Sequence, residues 1–268
     1  MLTKRPATDY AQVRLLFGDL LDFNLIVPAA LAGSTPARLY ADDALQHALL
    51  ITCEGSFIAG DPGNEDFAAA LRDLFAQLLA DGFEAFYLEM FPAGWEDRLS
   101  SLLGGPIWRI PRLHYLCTEL RYDWQRHVPA GYEVRPIDGD LLENLPIPEH
   151  ITGWIASNWG DAPTFLANGF GFCTVHAGQI VSWSLADCIW GDACEIGIHT
   201  HPDYRRRGLA ALTAAAAVNH AFDRGLKVVG WHCNVDNAGS IGTALKVGFE
   251  KERDYTHHVY FDKPYEET

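Results

Sequence analysis

Between Ala193 and Arg224 the chain must turn a strand into a helix at a point crowded with positive charge, and few folds make room for that. Ala193-Cys194-Glu195-Ile196-Gly197-Ile198-His199-Thr200 reads as a strand, and His201-Pro202-Asp203-Tyr204 breaks it. An alanine-rich helical segment then runs from Gly208 to about Arg224. Arg205, Arg206, Arg207, Gly208, Leu209 and Ala210 fill the junction. A helix start leaves four backbone N–H groups without partners and carries the positive end of the helix dipole. Glycine there removes the Cβ that would hold a phosphate off, and the three guanidinium groups add formal charge. The junction is an anion cradle that suits a diphosphate. Taken alone, it is equally an exposed basic turn at the head of an ordinary helix.

The flanking segments supply context. Lys227–Cys233 reads as a second strand, Asn237-Ala238-Gly239-Ser240 opens a short helix, and that helix closes on Gly248-Phe249. The order Arg-x-x-Gly-x-Ala, helix, strand, Asn-x-x-Ser, helix, Gly-Phe resembles the GCN5-related N-acetyltransferase (GNAT) family. That resemblance implies an α/β (α+β) fold with a mixed, mostly antiparallel sheet flanked by helices. It also implies acetyl-CoA as cosubstrate and direct acetyl transfer to the primary amine of a small molecule. The backbone from Arg205 to Ala210 would hold the diphosphate, and the strand edge at Ile198, His199 and Thr200 would pair with the pantetheine arm. Asn237 and Ser240 would add hydrogen bonds, although capping of their own helix explains both as well.

A base is harder to find. Several family members use a Glu on this central strand, but Glu195 lies one residue out of register with it and Cys194 stands in its place. One residue reverses the face unless a bulge intervenes. His199 and Asp187 are the other candidates. Trp159 and Asp161, with Asp187, are expected at the acceptor pocket, while Trp154 reads as core. The Tyr that serves many members as acid is replaced by Ala244, leaving Ser240, Tyr255, Tyr260 or water. The rival reading is a non-catalytic acyl-CoA-binding module that kept the cradle and lost the chemistry.

The first half has an alternating helix and strand order but no cradle, since no helix starts at Gly104-Gly105-Pro106. It resembles the degenerate N-terminal region of two-part, zwittermicin-resistance-like acetyltransferases. Polar residues and Pro129-Ala130-Gly131 suggest a linker, dividing the chain into 1–128 and 129–268. Helices are expected over Asp9–Phe23, Glu65–Ala80 and Trp95–Leu103, with an extended segment broken at Pro111.

Charge and composition exclude several classes. A net charge of −15 argues against nucleic acid as a partner, because phosphate neutralisation needs a basic face. No apolar run reaches membrane-spanning length. The six cysteines form no Cys-x-x-Cys pair and read as free thiols in a reducing, cytoplasmic setting. The histidines fall into no metal-ligand spacing, so no metal is expected. Monomer and homodimer both stay open.

Overall fold

The computed structural model describes residues 1–262. Contacts group them into two units, one of Met1–Pro111 with the residues from Tyr255 on, the other of Arg112–Asp254. Residue 128 lies inside the second unit in this grouping.

The first unit opens with β1 (Thr3–Lys4), a 3-10 segment (Ala7–Phe17), α1 (Leu20–Phe23) and α2 (Ile26–Leu31). A single helix over Asp9–Phe23 does not form. Gly18 divides it, with φ of 46° and its Cα so close to the Phe91 ring that a Cβ would sit 2.3 Å from ring carbons. β2 (Arg38–Ala41), β3 (Ala48–Ile51) and β4 (Ser56–Ala59) pair antiparallel in sequence. α3 (Glu65–Ala80) crosses to β5 (Ala85–Phe91), which lies parallel to β4. Phe67, Leu71, Leu74, Phe75 and Leu78 put one helical face of α3 into the core. α4 spans only Leu99–Leu103, because buried Trp95 first anchors the chain through a 2.9 Å bond from Nε1 to the Gly60 carbonyl. His258–Phe261 return here and pair antiparallel with β5.

This unit's helix start is unlike the basic junction. Asn64 caps α3 by accepting from the Phe67 N–H, and Glu65 and Asp66 place carboxylates in the first turn. Both features disfavour an anion. β4 and β5 also stay in register up to Ala59 and Phe91, so the parallel pair does not open.

The second unit takes Arg112–Cys117 of β6 (Trp108–Cys117), then β7 (Tyr132–Pro136), α5 (Gly139–Asn144), α6 (Glu149–Trp159) and α7 (Ala162–Asn168). β8 (Gly171–His176), β9 (Gln179–Trp190) and β10 (Ala193–Thr200) follow as a meander. α8 (Leu209–Asp223), β11 (Val228–Asn234), α9 (Ala238–Val247) and the start of β12 (Glu250–Phe261) complete it. The strand order is β6-β11-β10-β9-β8-β7. β10 and β11 run parallel and the other neighbours antiparallel, giving the mixed sheet expected. β6 continues through Pro111 because pairing with β11 starts only at Arg112, so no ladder bond is asked of the missing N–H.

Small side chains set how closely α8 lies on this sheet: Ala211, Ala214, Ala215, Ala217 and Ala221 are buried against β8–β10. Phe249 closes the end of α9 by packing edge-on to Trp231, centroids 5.2 Å apart, a geometry worth about 0.5–1.5 kcal/mol beyond its buried area. Five of the six cysteines are buried and Cys53 is exposed, and none of the six is in a disulfide. Among the described residues no helix is long and apolar enough to cross a membrane.

Candidate active site

The site begins where two parallel strands part. β10 and β11 pair only over Ala193–Glu195 and Val228–Gly230. Beyond Glu195, β10 stays with β9 to Thr200, and beyond Gly230, β11 stays with β6 to Asn234. The facing edges are left without register partners, Ile198, His199 and Thr200 among them. Such an edge accepts an extended chain as an added strand.

The basic junction lies beyond that opening. Gly208 has φ of 80° and Arg206 φ of 63°, so the backbone turns through left-handed positions directly before α8. The N–H groups of Gly208, Leu209, Ala210 and Ala211 have no acceptor among the described residues, and α8 has no side-chain cap. A Cβ on Gly208 would meet nothing nearer than Lys246 Nζ at 3.8 Å, leaving open space over the amides. The cradle therefore fits a diphosphate. Arg205 and Arg207 are partly committed to the turn: Arg205 Nε donates to the Thr200 carbonyl at 3.2 Å, and Arg207 to the Asp203 carbonyl and the Tyr132 hydroxyl. The cation that sequence reasoning missed is Lys246 on α9, held over the Tyr122 ring at 4.7 Å. No local pattern marks it, since it reaches the cradle only through the packing of α9.

Alternation along β10 sends Cys194 and Ile196 into the core with α8, and Glu195, Gly197 and His199 to the face under α6. A bulge does occur, with the register slipping between Glu195 and Ile196 so that Asp187 on β9 has no opposite number. Asp187 Oδ1 accepts from the Gly197 N–H at 3.0 Å and from Trp154 Nε1 at 2.7 Å. Asp187 thus holds the bulge together and ties α6 to the sheet. His199 lies against Trp183 and His150, and burial pulls the pKa of both histidines below the ordinary value.

Glu195 is buried in company. Its Oε1 lies 3.1 Å from His232 Nε2, and His232 stacks on His114 with centroids 4.3 Å apart and planes at 13°. His114 Nδ1 is 3.2 Å from Glu252 Oε2. Burial first, and then the neighbouring His232, push the His114 pKa down to about 4. One nitrogen or oxygen from each of His114, Glu195 and His232 falls within 4.8 Å of the others. A chelated ion would have to lie in both ring planes, and nearly parallel stacked planes share no such point. The arrangement is two hydrogen-bonded pairs, Glu195 with His232 and His114 with Glu252, joined by the ring stack. Sequence reading missed it because the residues are far apart in the chain. The available signal was parity: His232 sits opposite Trp231 and Cys233 on an otherwise apolar strand.

The remaining expected residues are placed elsewhere. Trp159 is core, its Nε1 donating to the Ala186 carbonyl at 2.8 Å, and Asp161 caps α7 by accepting from the Thr164 N–H at 2.7 Å. Asn237 caps α9 through the Ser240 N–H at 3.0 Å, and the Ser240 hydroxyl accepts from Trp231 Nε1 at 2.9 Å. Tyr255 and Tyr260 pack in the first unit, against Phe23 and in its core respectively.

Comparison with known proteins agrees with this geometry. A family model described as GNAT acetyltransferase matches residues 19–258. An uncharacterized N-acetyltransferase of Bacillus subtilis, YdfB, is 26% identical over 263 residues, covering 97% of each chain. A GCN5-related N-acetyltransferase-like protein from Streptococcus suis superposes with a TM-score of 0.72 at 25% identity, over 94% of this chain and 98% of that one. A tandem GNAT protein from the clavulanic acid biosynthesis pathway shares the fold at a TM-score of 0.61 and 13% identity, over 99% of both chains.

Proposed function

Because this chain belongs to the GNAT acetyltransferase family, we propose that it transfers acetyl from acetyl-CoA directly to a primary amine of a small molecule. The observation that carries this reading is the run of unpaired N–H groups at Gly208–Ala211 beyond the point where β10 and β11 part. Those amides, with Lys246 and Arg206, would hold the diphosphate, and the open β10 edge would take the pantetheine arm. Bound there, acetyl-CoA supplies the activated acetyl thioester.

This chain's own groups do the rest. Glu195 lies at the apex of the opening, on the face shared with Trp154, His150 and Trp183, and is the base in this reading. The acceptor sits against that aromatic wall. Trp183 supports the placement, since its buried Nε1 has no hydrogen-bond partner, and His150 and His199 are neutral neighbours that do not repel an amine. The surplus of acidic residues favours a cationic acceptor over an anionic one. Ala244 is fully buried where many members carry the acid, so no single acid is required and the thiolate takes its proton from the amine or water.

In the same reading the first unit is a degenerate copy of the fold, as in zwittermicin-resistance-like acetyltransferases. Its β4-α3-β5 order repeats β10-α8-β11, with the cradle replaced by the Asn64 cap and two carboxylates.

Release of free CoA thiol, followed with and without amines, tests the function. Thiol is expected only when both acetyl-CoA and an amine are present. Tight acetyl-CoA binding with no release for any amine would identify a binding module instead.

A further inference from the structure

Glu195 has more around it than a lone base needs. It is 6% exposed, and each of its two oxygens lies beside a group that can carry or share a proton. His232 on β11 lies 3.1 Å from its Oε1, and Cys188 on β9 lies 3.7 Å from its Oε2. His114 on β6 stacks on His232, and beyond it stands Glu252 on β12, gripped by Arg253 at 2.6 and 2.9 Å. Arg112, also on β6, donates to Asn234 Oδ1 at 3.1 Å. Four side chains from four strands thus form one line, from the parting of β10 and β11 to the partly exposed Glu252.

We propose that Glu195 and His232 form a proton relay, in which Glu195 takes the acceptor amine's proton and His232 draws it away from the reacting atoms, while His114 and Glu252 hold His232 in place. This rests on the acetyltransferase reading above. The acceptor arrives as an ammonium. Its N–H bond breaks as an O–H bond forms on Glu195, and the proton then passes to Nε2 of His232, a ring that carries its own proton on Nδ1 in this step. That leaves a carboxylate–imidazolium pair and a free amine lone pair. The lone pair bonds the acetyl carbon, the C–S bond breaks, and a second amine proton ends on the sulfur. One proton is left over, held by the cluster and released to water. Glu252 fixes His114 by accepting from Nδ1, and burial keeps that ring neutral. A neutral ring stacked on His232 lets that imidazole become cationic without a like charge against it. His232, His114 and Glu252 are positioning residues, since they act through Glu195.

The test uses spermidine, glucosamine and tyramine as acceptors, kcat measured against pH, and acetyl-CoA affinity measured by calorimetry. His232→Gln keeps a hydrogen-bonding side chain that does not titrate. It is expected to lower kcat by about 10²-fold or more near neutral pH, at the low end of what a proton-transfer group supplies. Acetyl-CoA affinity should stay unchanged, and the deficit should shrink as pH rises and the amine deprotonates in solution. Glu252→Gln should show a smaller loss with the same pH dependence. A His232→Gln enzyme with wild-type kcat and pH profile, or a loss equal at every pH, overturns the relay and leaves the transferase standing. If His232→Gln fails to fold, an unaltered profile in Glu252→Gln overturns it. Wild-type protein that binds acetyl-CoA but acetylates none of the three amines sinks both readings together.

Discussion

Gly208→Asp is expected to abolish the thermal stabilisation that acetyl-CoA gives the protein. A ligand at 100 times its Kd stabilises a fold by about 2.7 kcal/mol, and that whole increment should vanish. Two effects act together in this variant: a side chain fills the space over the amides of Gly208–Ala211, and its carboxylate repels the diphosphate. Backbone strain is the confounding factor, because Gly208 has φ of 80°. Gly208→Asn removes it from the comparison, since Asn and Asp both visit this region more readily than other residues and are nearly the same size. Gly208→Asn should therefore keep part of the stabilisation. Lys246→Ala and Arg205→Ala should each weaken binding less than Gly208→Asp, because the amides remain. Equal stabilisation of wild type and Gly208→Asp by acetyl-CoA would move the anion site away from the junction.

Acid should remove about 3 kcal/mol of stability through His114 alone. Its pKa is about 4 in the fold against 6.5 for the free side chain. The fold thus favours the neutral ring, and this contribution is complete above pH 6.5. It is lost as pH falls through that value towards 4, at about 1.36 kcal/mol for each pKa unit. Glu252 acts in the same direction but at lower pH: Arg253 first, and His114 after it, hold its carboxyl below the usual value of 4.5, so its contribution is lost only as pH falls below that value. Urea unfolding of wild type and His114→Gln at pH 7 and pH 4 separates the two. The variant should be the less stable at pH 7 and should lose about 3 kcal/mol less on acidification. Parallel pH dependence in the two proteins would mean that His114 charges freely in the fold.

What was legible in the sequence was local. The basic junction, the meander into Ala193–Thr200, the helix at Glu65–Ala80 and the closing Gly248-Phe249 all follow from periodicity and turn chemistry over short stretches. The structure has them where the residues imply. Partners were not legible, because they depend on register between distant strands. Glu195 lies one residue out of step with the family's Glu, and only the strand pairing around the slip at Asp187 shows what it faces. His114, His232 and Glu252 come from three separate strands, and no spacing rule joins them. Trp159 and Asp161 each have a structural partner that the sequence did not show, the indole N–H of one bonding the Ala186 carbonyl and the carboxylate of the other capping α7. The helix expected over Asp9–Phe23 fails on a single glycine wedged beside Phe91.

A crystal structure of the protein with acetyl-CoA tests the central claim most directly. The account predicts one molecule per chain, with its diphosphate on the N–H groups of Gly208–Ala211, its pantetheine arm paired along Ile198–Thr200, and its thioester facing Glu195. A diphosphate bound at the start of α3, or anywhere other than Gly208–Ala211, would contradict it.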